Sequence, residues 1–431
     1  MTECIQVLLP WGEKSVEARF DTQPLSSDGG MLLLRSADEQ MGLIEKAAHF
    51  LDDPREPAKV QHRLATLLRQ RVYGICAGYE DCNDVEYLSK DPIHELSVGA
   101  QLASQPTLSR FENSQGWKAL KSLNELLFEV AAKRLKEAQE IILDVDSTDD
   151  ETHGNQQLSF FHGYYDHHMF HPLLIYANNH LIFVLLRPGN CHAGRAITSV
   201  GRKLIGKLKG ITTAKLSFRA DAGFSLPRLY NMLEEEGVTY TIGLITNDVL
   251  RAYAQEEIKI AKEEYQTTKI PVQRFGSVLH QAGTWNHSRR VVYKAEVLPE
   301  GENRRFVVTN QEEKPEAVYE FYRARGDMEN RIKDLKNALQ SGRTSCQKFV
   351  ANAFRLLEHS LAYVLMDHLR RATPGKETQR MQFDTLRLHL IKIGAVVEKS
   401  VRRIVVHLPQ SYPWAKLFEE TARTLAIPIP V

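Results

Sequence analysis

Residues 140–148, Glu140-Ile141-Ile142-Leu143-Asp144-Val145-Asp146-Ser147-Thr148, decide the fold of this chain. The apolar run is too short for a helix and rich in β-branched residues, and it closes on carboxylates, so it reads as a buried strand with acids at its C-terminal end. The same texture recurs downstream. Residues 171–177 and 181–186 read as two more strands joined by the Asn178-Asn179 turn. Residues 194–208 have helical spacing, and 214–220 form a strand that ends in Asp221-Ala222-Gly223. A helix over 226–236 and a strand over 239–244 follow, so the order is β-β-β-α-β-α-β.

That order predicts an α/β chain with an RNase H-like core: a mixed five-stranded sheet, three antiparallel strands followed by two parallel ones, with flanking helices. Upstream, 61–76 and 117–135 have helical apolar spacing, which makes residues 1–137 a helical N-terminal region. Within it Leu102-Ala103-Ser104-Gln105-Pro106-Thr107-Leu108-Ser109-Arg110-Phe111 places Pro106 in the first turn of a helix behind capping residues. A short helix, a turn and a helix opening Thr-Leu-Ser-Arg is similar to a helix-turn-helix segment, so this region is the expected DNA-binding part, with Arg110 toward DNA. The core is expected to run over 138–245 and to resume over 311–371. Between them, 246–310 hold a charged helix and runs at 272–279, 289–297 and 305–310 that read as a β-rich insertion. Residues 372–431 are expected as a helical C-terminal tail, a candidate for protein contacts.

Composition narrows the class. With 431 residues the chain is long enough for more than one core. Its 43% hydrophobic and 25% charged residues exclude a disordered chain. No apolar run approaches the roughly 20 residues needed to span a bilayer, and Met-Thr-Glu-Cys opens no signal peptide, so a cytoplasmic, membrane-free bacterial protein is expected, nucleoid-associated when bound to DNA. The five cysteines are odd in number and form no C-x-x-C pair, which favours free thiols in a reducing compartment. A net charge of +1 hides an uneven distribution: from Tyr322 to Arg380 there are twelve Lys and Arg against six Asp and Glu. A basic stretch of this kind suits a nucleic acid, although a solvated helical face would show it too.

Residues 315–339 are expected to form one long helix. On it Tyr322, Arg325, Glu329 and Lys336 stand at about 0°, −60°, −20° and −40° for a turn of about 100° per residue. All four would share one stripe, beside a second stripe of Met328, Ile332, Leu335 and Leu339 that faces the core. Asp146 and Asp221 end neighbouring strands, and a helix packed on the sheet would bring Glu329 to them. Three hard oxygen ligands with open positions suit magnesium, which keeps waters and binds substrate phosphate.

The spacing Tyr322-x2-Arg325-x3-Glu329-x6-Lys336 resembles the Tyr-Arg-Glu-Lys signature of one group of bacterial insertion-sequence DDE transposases. Asp146-Ser147-Thr148 resembles their first aspartate motif, and Arg219-Ala220-Asp221-Ala222-Gly223-Phe224 their second. The gaps, 75 residues between the aspartates and 108 on to the glutamate, are similar as well. The resemblance implies that Asp146, Asp221 and Glu329 are catalytic and ligate two Mg2+ ions, for which Mn2+ can substitute. It implies that Tyr322, Arg325 and Lys336 hold DNA phosphates, and that Trp285 of the insertion stacks on a flipped base; packing within the insertion is the other reading of that tryptophan. The implied reaction is metal-dependent nicking at the element's terminal inverted repeats and strand transfer into target DNA, by a homodimer in the DNA complex.

Other signals carry less. Asp144 lies two residues before Asp146 and on a strand shares its face, so either could be the first ligand; the Asp-Ser-Thr match favours Asp146 and leaves Asp144 behind it. Asp149 and Asp150 fall in the following loop. His162, His167, His168 and His171 fit no standard zinc spacing and read as an edge of the active-site sheet. Gly189 to Gly194 lacks the Gly-Lys-Ser/Thr of a phosphate loop, and Cys191 beside His192 suggests no thiol nucleophile. Two rival functions stay open: an RNase H-like nuclease or resolvase without strand transfer, and a catalytically silent DNA-binding regulator derived from a transposase.

Overall fold

The computed structural model describes residues 24–426 and, as backbone alone, the strands Gln6–Leu9 and Val16–Arg19. The chain divides into two compact units. One comprises residues 49–54 and 112–364, the other residues 1–48, 55–111 and 365–431.

The first unit holds an eight-stranded mixed sheet. Its central strand is β1 (Glu140–Ser147), followed by β2 (Leu173–Ala177), β3 (His180–Leu185), β4 (Lys215–Ala220) and β5 (Thr239–Leu244). β1 pairs antiparallel with β2 and β2 antiparallel with β3, whereas β4 is parallel to both β1 and β5. The two parallel steps need crossovers, supplied by helices α2 (Ile197–Lys209) and α3 (Pro227–Glu235), while α1 (Trp117–Leu135) precedes β1. This architecture is a mixed α/β fold consistent with an RNase H-like core. Ile141, Leu143 and Val145 alternate with the acids of β1 and are fully or almost fully buried, together with Phe218 and Ala220 of β4 and Tyr240 and Ile242 of β5. Apolar residues on one face and carboxylates on the other are what a two-residue period produces.

The strands expected as an insertion continue this sheet. After a helix at Gln255–Thr268 come β6 (Val272–His280), β7 (Arg289–Leu298) and β8 (Gly301–Thr309), and β8 pairs antiparallel with β5. The single long helix expected over 315–339 is divided: α4 (Pro315–Arg323) ends in a turn at Ala324-Arg325, and α5 (Gly326–Lys333) runs into a π turn, Asp334–Ala338. There Leu339 N–H donates to the Asp334 carbonyl at 3.1 Å. Met328, Leu335 and Leu339 are each 1% exposed, so the apolar stripe does face inward.

In the second unit, helices Met31–Met41, Leu64–Ala77 and Pro92–Val98 are joined by residues from the far end of the chain. Strand Ala395–Lys399 pairs with Leu25–Ser26 on one side and with Ile404–His407 on the other. The buried Asp28 carboxylate accepts the Tyr79 hydroxyl at 2.8 Å, lies 3.0 Å from His94 Nε2 and pairs with Lys392 at 2.7 Å. Residues expected as a C-terminal tail thus share a unit with N-terminal helices. The tail ends in a further helix, Ala415–Leu425. No helix among the described residues is long and apolar enough to cross a membrane, and the four cysteines described, Cys76, Cys82, Cys191 and Cys346, are buried and form no disulfide.

Candidate active site

Strand register builds the first half of the site. In the β1–β4 pair Arg219 stands opposite Asp144 and Ala220 opposite Val145, so Asp146 and Asp221 come next at adjacent C-terminal ends. Asp221 caps the turn that follows it, its Oδ1 accepting from Gly223 N–H at 2.9 Å. Asp146 Oδ1 accepts from Ser147 N–H at 2.8 Å. The two aspartates of β1 have different partners. Asp144 is buried and held bidentately by Arg219, with Nε to Oδ1 at 2.7 Å and Nη2 to Oδ2 at 2.8 Å. Burial pushes its carboxyl up, and Arg219 opposes that. The third donor of Arg219 reaches the Phe321 carbonyl at 2.8 Å, and its guanidinium lies 4.9 Å from the Phe321 ring. Asp144 is therefore engaged in a clamp that ties β1 and β4 to α4, while Asp146, nearer the end of the strand, is somewhat less buried.

The helices supply the second half. Because α4 stops at Arg323, Arg325 sits in the turn and reaches sideways: Nη1 donates to Asp146 Oδ2 at 2.8 Å and Nη2 to Glu329 Oε1 at 3.2 Å. The Glu329 side chain is 53% exposed and that of Asp146 14%. Burial, aided by the negative charge of Asp221 and opposed by Arg325, pushes the Asp146 carboxyl up to about 6. Tyr322 is half-buried with its hydroxyl 2.7 Å from where a Cβ on Gly243 would stand; burial raises its phenol, and the charges of Asp221 and Asp146 add to that. Only glycine at 243 leaves room for that hydroxyl beside the Asp221 backbone.

Lys336 lies past one interruption of the helix expected over 315–339 and inside the second. The turn at 324–325 and the π turn alter the rotation per residue, and its ammonium pairs with Asp149. Asp149 also lies 3.5 Å from His167 Nε2, and Lys336 holds its carboxyl below the ordinary value. Asp149, read as loop charge, is thus part of the site's wall, and neither it nor Arg219 carried a signal strong enough to single it out beforehand. Among the described residues, the one group of three potential metal ligands with donor atoms within 4.8 Å of one another is Asp28, Asp91 and His94. Asp146, Asp221 and Glu329 do not draw that close, and Arg325 is the cation bridging Asp146 to Glu329.

The remaining residues are placed elsewhere. Trp285 is 9% exposed and packs in the sheet's core, T-shaped to Tyr230 at 5.6 Å, an arrangement that accords with the packing reading of this residue. Arg110 is exposed on helix Gln105–Ser114, donating to Thr107 Oγ1 at 3.3 Å. His171 Nδ1 is 3.0 Å from the Cys191 carbonyl, and burial raises the Cys191 thiol, so no nucleophile is prepared there.

Hard carboxylates on adjacent strand ends, a bridging guanidinium and a nearby ammonium suit phosphodiester chemistry. No curated protein matches the chain. Among solved structures it is similar to the piggyBac transposase in a synaptic complex with hairpin DNA, seen by cryo-electron microscopy, with a TM-score of 0.43 and 10% identity over 85% of this chain and 80% of that one. The family model described as transposase DDE domain group 1 matches residues 9–427, and the chain belongs to that family.

Proposed function

We propose that the protein is a DNA transposase of the insertion-sequence group with the Tyr-Arg-Glu-Lys signature, which nicks the ends of its element and transfers the 3′-hydroxyl into target DNA. The observation that carries this reading is the pair Asp146 and Asp221 on adjacent strand ends with Arg325 joined to Asp146 and Glu329. Asp146, Asp221 and Glu329 would hold magnesium, and two ions accord with the all-oxygen donor set. Burial, with the negative charge of Asp221, raises the Asp146 carboxyl, a cost that a bound cation would offset. A bound divalent ion supplies activation of water or a 3′-hydroxyl and stabilises the leaving oxygen.

The chain's own residues do the rest. Arg325 and Lys336 already rest on carboxylates, and a DNA phosphate offers each a stronger bidentate or point-charge partner. When Arg325 turns to phosphate it releases Asp146 and Glu329. Tyr322, held in the notch at Gly243, presents its hydroxyl to the same backbone. Arg110 and helix Gln105–Ser114 are assigned to binding the element's ends, and two ends require a homodimer in the complex.

The test is cleavage of labelled DNA carrying the element's ends, with magnesium, by wild type, Asp221→Asn and Glu329→Gln. Nicking lost in both variants supports the carboxylate assignment; equal nicking in all three overturns it. Pre-nicked ends with target plasmid then separate a transposase from a nuclease, since a nuclease gives no joined product. Binding of the ends without any cleavage would identify a regulator.

A further inference from the structure

The segment Phe160-Phe161-His162-Gly163-Tyr164-Tyr165-Asp166-His167-His168-Met169-Phe170 concentrates rings in a hairpin. Strands Phe160–His162 and His167–Phe170 pair antiparallel, with Phe161 opposite His168 and His162 opposite His167. Its root is fixed close to β1: Asp150 and Glu151 pair with Phe170 and Met169, four and five residues after Asp146. It also rests on Gly189, where a Cβ would stand 1.9 Å from the Met169 carbonyl oxygen and 2.5 Å from that of Phe160. The hairpin is therefore seated rather than dangling.

Its tip borders the carboxylates. His167 Nε2 is 3.5 Å from Asp149, the same group that pairs with Lys336. The Tyr165 phenol is pushed up to about 12, by burial first and then by Asp149, Asp146 and Asp221, all near enough to act on it. Behind Tyr165 stand His162 and His171, with ring centroids at 5.2 and 6.0 Å. In front of it is Tyr164, edge-on at 5.0 Å and 85% exposed; Phe161, beside His168 at 5.8 Å, is 51% exposed. Ring surface kept in water forgoes burial, so a fixed hairpin that holds such a ring beside cutting chemistry is suited to a ligand with a π face. Lys336, paired with the Asp149 that His167 also meets, places a cation near the hairpin for a phosphate backbone. Trp285, the other ring with a stacking role in view, is packed away.

We propose that Tyr164 is a stacking platform for an unpaired nucleobase of the DNA strand beside the scissile phosphate. Tyr165 and the imidazoles behind it are positioning residues that brace Tyr164. The location relative to the cut rests on the proposed role of Asp146 and Asp221; stacking on an unpaired base does not.

The experiment uses the full chain without divalent metal, so nothing is cut. The probes are a duplex with a short single-stranded overhang containing 2-aminopurine and the blunt duplex of the same sequence. Wild type should quench the 2-aminopurine on binding. Tyr164→Ala should lose the quench and bind the overhang probe roughly 5- to 100-fold more weakly, with blunt-duplex affinity unchanged, as expected for loss of one base–aromatic stack. Tyr164→Phe should retain the quench, because the ring face remains, and Phe161→Ala, on the other face of the hairpin, should leave it unchanged. Undiminished quenching by Tyr164→Ala, or an equal loss of affinity for both probes, overturns the proposal. Wild-type unfolding of the variants, expected at exposed positions, shows that the fold is intact. Persistent cleavage by Asp221→Asn would remove the active-site reading while leaving this measurement standing.

Discussion

Replacing Arg219 by methionine should be among the most damaging single changes in the sheet. Its guanidinium meets both oxygens of Asp144 at 2.7 and 2.8 Å, and the two side chains are only 7% and 4% exposed. Removing one partner of a buried pair leaves the other charge uncompensated, at a cost of about 3–5 kcal/mol. Loss of the bond to the Phe321 carbonyl adds about 1 kcal/mol. The carboxyl of Asp144, raised already by burial, rises further once Arg219 is gone. The folded variant then binds a proton that the unfolded chain does not, so its deficit should be largest at pH 8 and shrink toward pH 5. Urea unfolding at both pH values measures this, with the double variant Asp144→Leu/Arg219→Met as control; an apolar pair of similar size should recover most of the loss. A single variant that loses less than about 1 kcal/mol at both pH values, or a double variant no better than the single, refutes the clamp. Because Phe321 immediately precedes Tyr322, nicking by any folded fraction should also fall.

Two further expectations follow from burial and close contact. The His171 imidazole is held at about 4 by burial, so between that value and the ordinary 6.5 the folded chain binds fewer protons than the unfolded one. Stability from this group is full above about 6.5 and falls, by up to about 3 kcal/mol, as pH drops toward 4. His171→Gln should flatten that part of the pH–stability curve measured by urea midpoints; an unaltered slope would exclude His171 as the cause. Gly243→Ala would put a Cβ 2.7 Å from the Tyr322 hydroxyl, 2.9 Å from Ala222 N and 3.2 Å from the Asp221 carbonyl carbon. Overpacking should cost about 1–3 kcal/mol and displace the Asp221 turn, lowering nicking, with Tyr322→Phe relieving only part of it because the backbone contacts remain. Wild-type melting and nicking by Gly243→Ala would refute this.

The local features were legible because they depend on neighbours in sequence. The period of β1 set Asp144 and Asp146 on one face, and the strand and helix texture from 140 to 244 indicated the five strands and their two crossovers. The order of acids and the Tyr322, Arg325, Glu329, Lys336 spacing identified the residues to examine. Pairings between distant segments lay beyond that reading. The Asp-Ser-Thr match favours Asp146, but no local pattern shows that Arg219 holds Asp144; the parallel register does so, by setting the two opposite each other. Nor does it show that β8 would join the edge of β5, or that residues 395–399 would pair with Leu25–Ser26. Helical arithmetic took 322–336 as one continuous helix, whereas a turn and a π turn interrupt it, and the partner of Lys336 there, Asp149, comes from a distant segment. Trp285, open to two readings in the sequence, lies against Tyr230 in the core of the sheet. Composition and periodicity determined which elements form and which carry acids, since those follow from side-chain chemistry and backbone geometry. Only the tertiary structure decided which charges meet, because a salt bridge or a register joins residues that the chain itself keeps far apart.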